Sequence, residues 1–336
     1  MRRVTVPVSA AQGLILIHAL TLPTGERLPK GTTLDAPLVA RLQAAGTREV
    51  TAAAMAPDEV HEAEGSQRIA RAAAGPGIAL GEPEESQVPF LATSDGLLRV
   101  APATLAAFNR IPDVAVFTLF DRTVVRQGQV VGAAKALPLA IRRDRVEAAE
   151  QLGRERGAAL WIAPFQPTTA VLLVRERLSP RMVAKFRQVA SARLASYGSQ
   201  VIACQLLPDD PQAIAVAYRQ AAAAGARLVL AAGGASADPE DAALVAVELA
   251  GGRLVRAGMP VFPGTQCWLA TLGALTILAV ASCGAVARVS LVDLLVPRLA
   301  AGDPLDEEML ASLGHGGLLR PDQPSRYPHW ARERAL

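Results

Sequence analysis

The chain has 336 residues, 51% hydrophobic and 19% charged, which places it among folded proteins with a sizeable core and two or three domains. Its formal net charge of +3 is small and its basic residues are dispersed, almost all of them arginine, so nucleic acid is excluded as a partner while a phosphate-bearing small ligand is not. Cys204, Cys267 and Cys283 are odd in number, widely spaced and set among apolar residues. They show no metal-ligand spacing and are expected to be reduced and packed, as in a cytoplasmic protein. Met1-Arg2-Arg3-Val4-Thr5 lacks the apolar core of a signal peptide.

In chain order, Val4 to Val8 and Gly13 to Ala19 read as strands, and Lys30-Gly31-Thr32 as a turn before a helix from Asp35 to Ala45. Asp58 to Ala74 reads as a charged amphipathic helix. Val124 to Ala134 reads as a hairpin around Gln127-Gly128, and Leu137-Pro138-Leu139 as a sheet edge. Arg142 to Gly157 reads as a charged linker helix.

Beyond residue 158 the rhythm changes. Val171 to Val174, Val201 to Leu207 and Leu228 to Ala232 read as strands. Helices from Pro180 to Tyr197, from Asp209-Asp210-Pro211 to near Gly225, and from Asp238 to Ala250 follow them. Strand starts about 27 to 30 residues apart mark βαβ units, hence a parallel sheet with right-handed crossovers. Val255 to Val261 and Ala274 to Ala281 add strands around a Pro263-Gly264 turn, and Gly284 to Leu299 closes the domain as a helix. Cys267 to Ala287 carries no charge and is long enough to span a membrane. Gly273 and Gly284 interrupt it, and its 274–281 part has the length of a buried strand, so no membrane partner is expected.

The most telling stretch runs from Leu228 to Asp241: a buried strand, the pair Gly233-Gly234, a polar loop and a helix start. Such a loop forms an anion-binding crevice at the carboxyl end of a strand, where glycines let the backbone approach a ligand. Ser236, Asp238 and Asp241 add donors and acceptors. The plainer reading is a strand-to-helix turn capped by Asp238 with Pro239 at the first helical position.

These motifs resemble the molybdopterin-binding domain of enzymes that build the molybdenum cofactor. The 233–241 loop is similar to that family's glycine-pair, serine and aspartate loop. Leu207-Pro208-Asp209-Asp210 resembles its polar turn after the second strand, and Gly258 to Gly264 the segment before its last substrate loop. Cys283, Asp293, Pro297-Arg298 and Gly314 to Leu318 resemble the end of a long branch of the family. The opening of that branch is similar to Val6-Pro7-Val8, Gly13, His18, Leu28 to Gly31 and His61-Glu62 here. Departures accompany the likeness. The family's Thr-Gly-x-Glu falls on Leu173-Val174-Arg175-Glu176, keeping only Glu176. Its helix-opening aspartate falls on Ala184, the threonine before the glycine pair on Ala232, and its Leu-Pro-Gly turn on Val280-Ala281-Ser282.

The resemblance implies an α/β protein with a three-layer, parallel-sheet molybdopterin-binding domain at 158–302. Before it come a small α+β module at 1–60 and a β-rich domain with its linker helix at 61–157; after it comes an extension at 303–336. It implies molybdopterin or a nucleotide-linked form as ligand, Mg²⁺ where phosphate charge is neutralised, a homo-oligomer, and a molybdoenzyme client. Carried over residue by residue, the ligand contacts are Glu176, Asp209, Gly233, Gly234, Ser236, Asp238, Asp241, Pro263, Gly264 and Ser282. Glycine backbone and Ser236 would take the phosphate, and a carboxylate would read the pterin edge. The losses at Val174 and Ala184 favour binding over transfer chemistry. Asp209 reads equally as a helix cap, Glu176 as a solvated loop residue, His18 and His61 as structural histidines, and Cys283 as a packed thiol. The alternative is a scaffold that kept the fold and lost the ligand, which a side chain of Val174 or Arg175 filling the crevice would favour. A molybdopterin nucleotidyltransferase is the third reading.

Overall fold

The structure is a computed structural model, describing residues 1–84, 86–175, 178–233, 238, 240–280 and 289–320. The chain divides into two compact units, Met1–Ser94 with Leu98–Ile162, and Asp95–Leu97 with the chain from Ala163 onward.

The first unit begins with β1 (Arg2–Pro7), β2 (Ile15–Leu16) and β3 (Glu49–Ala54), antiparallel in the order β1-β3-β2. Helix α1 (Ala36–Ala44) is capped by Asp35, whose carboxylate accepts from Leu38 N at 2.9 Å. Its Val39 and Leu42 pack with Leu16 and Leu34. The charged segment expected as one helix from Asp58 divides instead. Its first turn is strand β4 (Glu59–His61), in which only Val60 is buried, and α2 (Glu62–Ala73) follows. A second antiparallel sheet has the order β7-β8-β6-β5, from β5 (Ile78–Leu80), β6 (Val88–Ala92), β7 (Val114–Thr118) and β8 (Val130–Ala136). The hairpin expected over 124–134 does not form. β8 has partners on both edges, so Val124–Val125 joins another sheet. β9 (Ala140–Arg142) pairs with β4, leading into α3 (Arg143–Arg156). Val146 and Ala149 of α3 lie in the same core as Ile69 and Ala70 of α2, so the helix expected as a linker is part of this unit's packing.

The second unit is built on a six-stranded sheet. In chain order its elements are β10 (Thr169–Arg175), α4 (Pro180–Ala195), β11 (Gln200–Leu207), α5 (Pro211–Ala223), β12 (Leu228–Ala232), α6 (Ala242–Leu249), β13 (Arg253–Ala257), β14 (Trp268–Leu272), β15 (Leu275–Val280) and α7 (Leu291–Ala300). The strand order is β11-β10-β12-β15-β14-β13. The first four strands are mutually parallel, as the βαβ spacing predicts, and β14 and β13 add an antiparallel edge. The described part of the charge-free stretch, from Cys267 to Val280, is therefore the buried hairpin β14–β15, turning at Gly273. Among the described residues no helix is long and apolar enough to cross a membrane.

The sheet alternation fixes what each strand presents. Val171, Leu173, Val229, Ala231, Ile277 and Ala279 share one face with Ile214 and Tyr218 of α5 and Ala246 of α6. The chain moves one way from β10 to β11 and the other way from β11 to β12. Right-handed crossovers then place α4 and α5 on opposite faces. Cys267 is buried and Cys204 half-buried, both as free thiols, and Cys283 lies outside the described residues.

Candidate functional site

The register levels the parallel strands at their carboxyl ends: Arg175 lies opposite Leu207, Val174 opposite Ala232, and Ala232 opposite Val280. Strand order reverses between β10 and β12. In open α/β sheets that reversal opens the crevice in which ligands bind. Among the described residues, Asp209 and Gly233 lie just past these strand ends. Topology thus brings Asp209 and Gly233, of the predicted residues, to the edge where Arg175 ends β10.

Arg175 organises what is described there. It shares the alternation of Val171 and Leu173, so it points to the face carrying α5 and α6. Its Nη1 donates to Asp209 Oδ1 at 2.7 Å, and Nη2 donates to Asp241 Oδ2 at 2.6 Å and to the Gly233 carbonyl at 2.7 Å. The side chains of Arg175 and Asp241 are 5% and 6% exposed, that of Asp209 26%. One guanidinium therefore ties the end of β10 to the two connections that follow β11 and β12. Asp241 is fully committed, because its Oδ1 caps α6 by accepting from Ala243 N at 3.0 Å. Tyr218 lies beneath, its hydroxyl donating to the Ala243 carbonyl at 3.2 Å, and burial pushes its pKa up. The space enclosed here, lined also by Leu173 and Trp268, is about 10 Å³, room for one water at most.

The other predicted residues fall as follows. Gly233 takes φ +104, and a Cβ there would meet Arg175 Cβ at 3.1 Å, so a glycine suits this close approach. Asp238 is exposed, and its Oδ1 accepts from Glu240 N at 2.9 Å, a local turn. It does not cap the helix; α6 starts later, at the Asp241 cap. Asp210, not Asp209, caps α5, accepting from Ala213 N at 2.8 Å. That leaves Asp209 for Arg175. Pro263 and Gly264 pack on the start of α7: the Pro263 carbonyl accepts from Leu291 N at 3.0 Å, and a Cβ on Gly264 would lie 2.6 Å from Leu291 Cβ. Glu176, Gly234, Ser236 and Ser282 lie outside the described residues. His61 caps α2 through Nδ1, which accepts from Ala63 N at 3.1 Å.

A divalent cation does not fit this arrangement. The guanidinium already sits between the two carboxylates and repels a second positive charge. Among the described residues no group of three or more His, Cys, Asp or Glu side chains is placed to hold a metal ion.

The fold and this edge define a class: an α/β domain on a mostly parallel sheet, with a glycine-bearing loop and helix-opening aspartates at the strand ends. Residues 170–301 match the family described as "probable molybdopterin binding domain". Similar solved structures include a molybdenum cofactor biosynthesis protein from Pyrococcus furiosus, at 11% identity over 90% of this chain and 66% of that one, TM-score 0.27. A molybdopterin biosynthesis moea protein from Pyrococcus horikosii aligns at 13% identity over 90% of this chain and 75% of that one, TM-score 0.31. The molybdopterin biosynthesis enzyme MoaB from Thermus thermophilus aligns at 20% identity over 41% of this chain and 98% of that one, TM-score 0.29. No curated protein matches the chain.

Proposed function

We propose that this protein binds a molybdopterin-type pterin ligand at the carboxyl edge of β10 and β12, in molybdenum cofactor biosynthesis, maturation or delivery, without transforming it. The match of residues 170–301 to the domain family supports the binding half of this reading. The Arg175 bridge supports the other half. Asp209 and Asp241 are the described carboxylates best placed to hold Mg²⁺ for phosphoryl chemistry, and both are occupied by Arg175. The ligand would rest just past the end of β12, where glycine at 233 would let a phosphate come close to the backbone. Anaerobic titration of the full chain with molybdopterin tests this. Binding at micromolar ligand with no nucleotide turnover in Mg²⁺ supports it. Nucleotide turnover would overturn it in favour of a transferase.

The scaffold reading is favoured by one observation: Arg175 is pressed against Gly233 and leaves almost no space beneath. A folded protein that binds no molybdopterin at micromolar concentration would make that reading the better one.

A further inference from the structure

The first unit contains a cavity of about 810 Å³ that the reading above does not use. Small-molecule sites commonly enclose roughly 300–1,000 Å³. Arg27, Lys30, His18, His61, Glu62 and Lys135 line it, from the 27–32 turn, the start of α2 and β8. Glu62 is the unusual member. It is 4% exposed, and its carboxylate accepts no hydrogen bond among the described residues. A carboxylate turned to such a cavity with no protein donor calls for donors from whatever fills it.

The surroundings are shaped to keep that carboxylate where it is. Gly31 has φ +85, and a Cβ there would lie 2.5 Å from Glu62 Oε1, so any larger residue would displace the carboxylate. His61 fixes the same turn, with Nε2 2.9 Å from the Gly31 carbonyl. Because its Nδ1 accepts from Ala63 N, the proton sits on Nε2 and is donated to Gly31; this tautomer is assigned from the hydrogen bonds. His61 is thus a positioning residue that binds the turn to the start of α2.

Charge then selects the ligand. Arg27, Lys30 and the amino terminus of α2 favour a phosphate. The same cations disfavour an ammonium group, so a neutral donor suits Glu62. A planar carboxylate is best satisfied by two parallel N–H groups. Guanine and pterin rings both offer that pair on their 2-amino-oxo-pyrimidine edge; adenine places an acceptor beside its amine. We propose that this cavity is a second ligand site, for a phosphorylated heterocycle whose 2-amino-oxo-pyrimidine edge is read by Glu62 and whose phosphate is held by Lys30 and Arg27. None of its residues belongs to the 170–301 domain, so it does not rest on the carboxyl-edge reading.

Calorimetry on the full chain with GMP, a pterin monophosphate, AMP and inorganic phosphate tests it. The expected result is that GMP or the pterin monophosphate binds at least tenfold more tightly than AMP. Binding of one and not the other identifies the heterocycle. Glu62→Gln should lose at least tenfold for that ligand, and Lys30→Ala should weaken every phosphate-bearing ligand alike. Equal affinity for AMP overturns the proposal, and this comparison needs no variant to fold. So does unchanged affinity in a folded Glu62→Gln chain, or no binding of either heterocycle at millimolar concentration. A Gly233→Val chain should keep this binding whatever happens at the carboxyl edge, so the two readings fail separately.

Discussion

Arg175 follows five buried apolar residues at 170–174, and that context decides its cost and its role. An arginine at the end of a fully buried strand must find an anion, and by topology the nearest are Asp209 and Asp241, in the connections after the next two strands. Replacing it with methionine would leave Asp241 buried without its counter-charge. Breaking a buried pair this way costs about 3–5 kcal/mol. Urea unfolding of Arg175→Met should show that loss, and Asp241→Asn combined with it should recover part of it, the mark of a coupled pair. A variant as stable as the parent would show that the bridge contributes nothing. The neighbouring aspartates should separate cleanly. Asp210→Ala removes the α5 cap and should cost about 1 kcal/mol. Asp209→Ala spares the cap and removes a half-exposed partner of Arg175. A cap contribution from Asp209 larger than from Asp210 would contradict this assignment. The sequence made Asp209 and Asp241 visible as candidates because polar residues after apolar strands stand out. It did not reveal that Arg175 engages both, since residue spacing carries no information on which side chain fills a crevice.

Helices α4 and α7 are joined by another interior ion pair. Arg193 Nε lies 3.2 Å from Asp293 Oδ1, with side chains 3% and 1% exposed. Asp293 Oδ2 also accepts from Ser290 N at 2.9 Å, which secures the first turn of α7. Burial nevertheless outweighs the arginine and lifts the Asp293 pKa from 3.8 to about 6. Between those values the folded protein keeps a proton that the unfolded chain has released. The contribution of this group is therefore fully present below pH 3.8, falls as pH rises, and is lost above about 6. Urea midpoints measured from pH 4 to 7 should fall with pH more steeply in the parent than in Asp293→Asn. Parallel curves would remove Asp293 as the cause. Periodicity reads 284–299 as a helix; α7 as described begins at Leu291, which puts Asp293 in its first turn. Its partner is 100 positions away on α4, and no local pattern connects them.

The same distinction between local pattern and long-range arrangement governs the sheet. Its parallel half is legible because each βαβ unit repeats the same spacing. Of the antiparallel edge, β14 was hidden with β15 inside one apolar run from Cys267, long enough to read as a span, in which Gly273 marks the turn of the hairpin. Burial on both faces erases the alternation that would otherwise announce two strands. The arrangement makes a quantitative claim about where stability resides. Ile277 on β15 is 0% exposed, with β12 on one side and β14 on the other. Ile202 on β11 is 43% exposed at the edge of the sheet. Removing the same side chain should therefore have unequal effects. Ile277→Ala should cost about 2–5 kcal/mol, through lost burial and the cavity left behind. Ile202→Ala should stay near or below about 1 kcal/mol, because water already reaches that side chain. Paired urea titrations of the two variants decide it. Equal losses would mean that β11 is covered on its outer side, and would contradict the strand order on which the position of the candidate site depends.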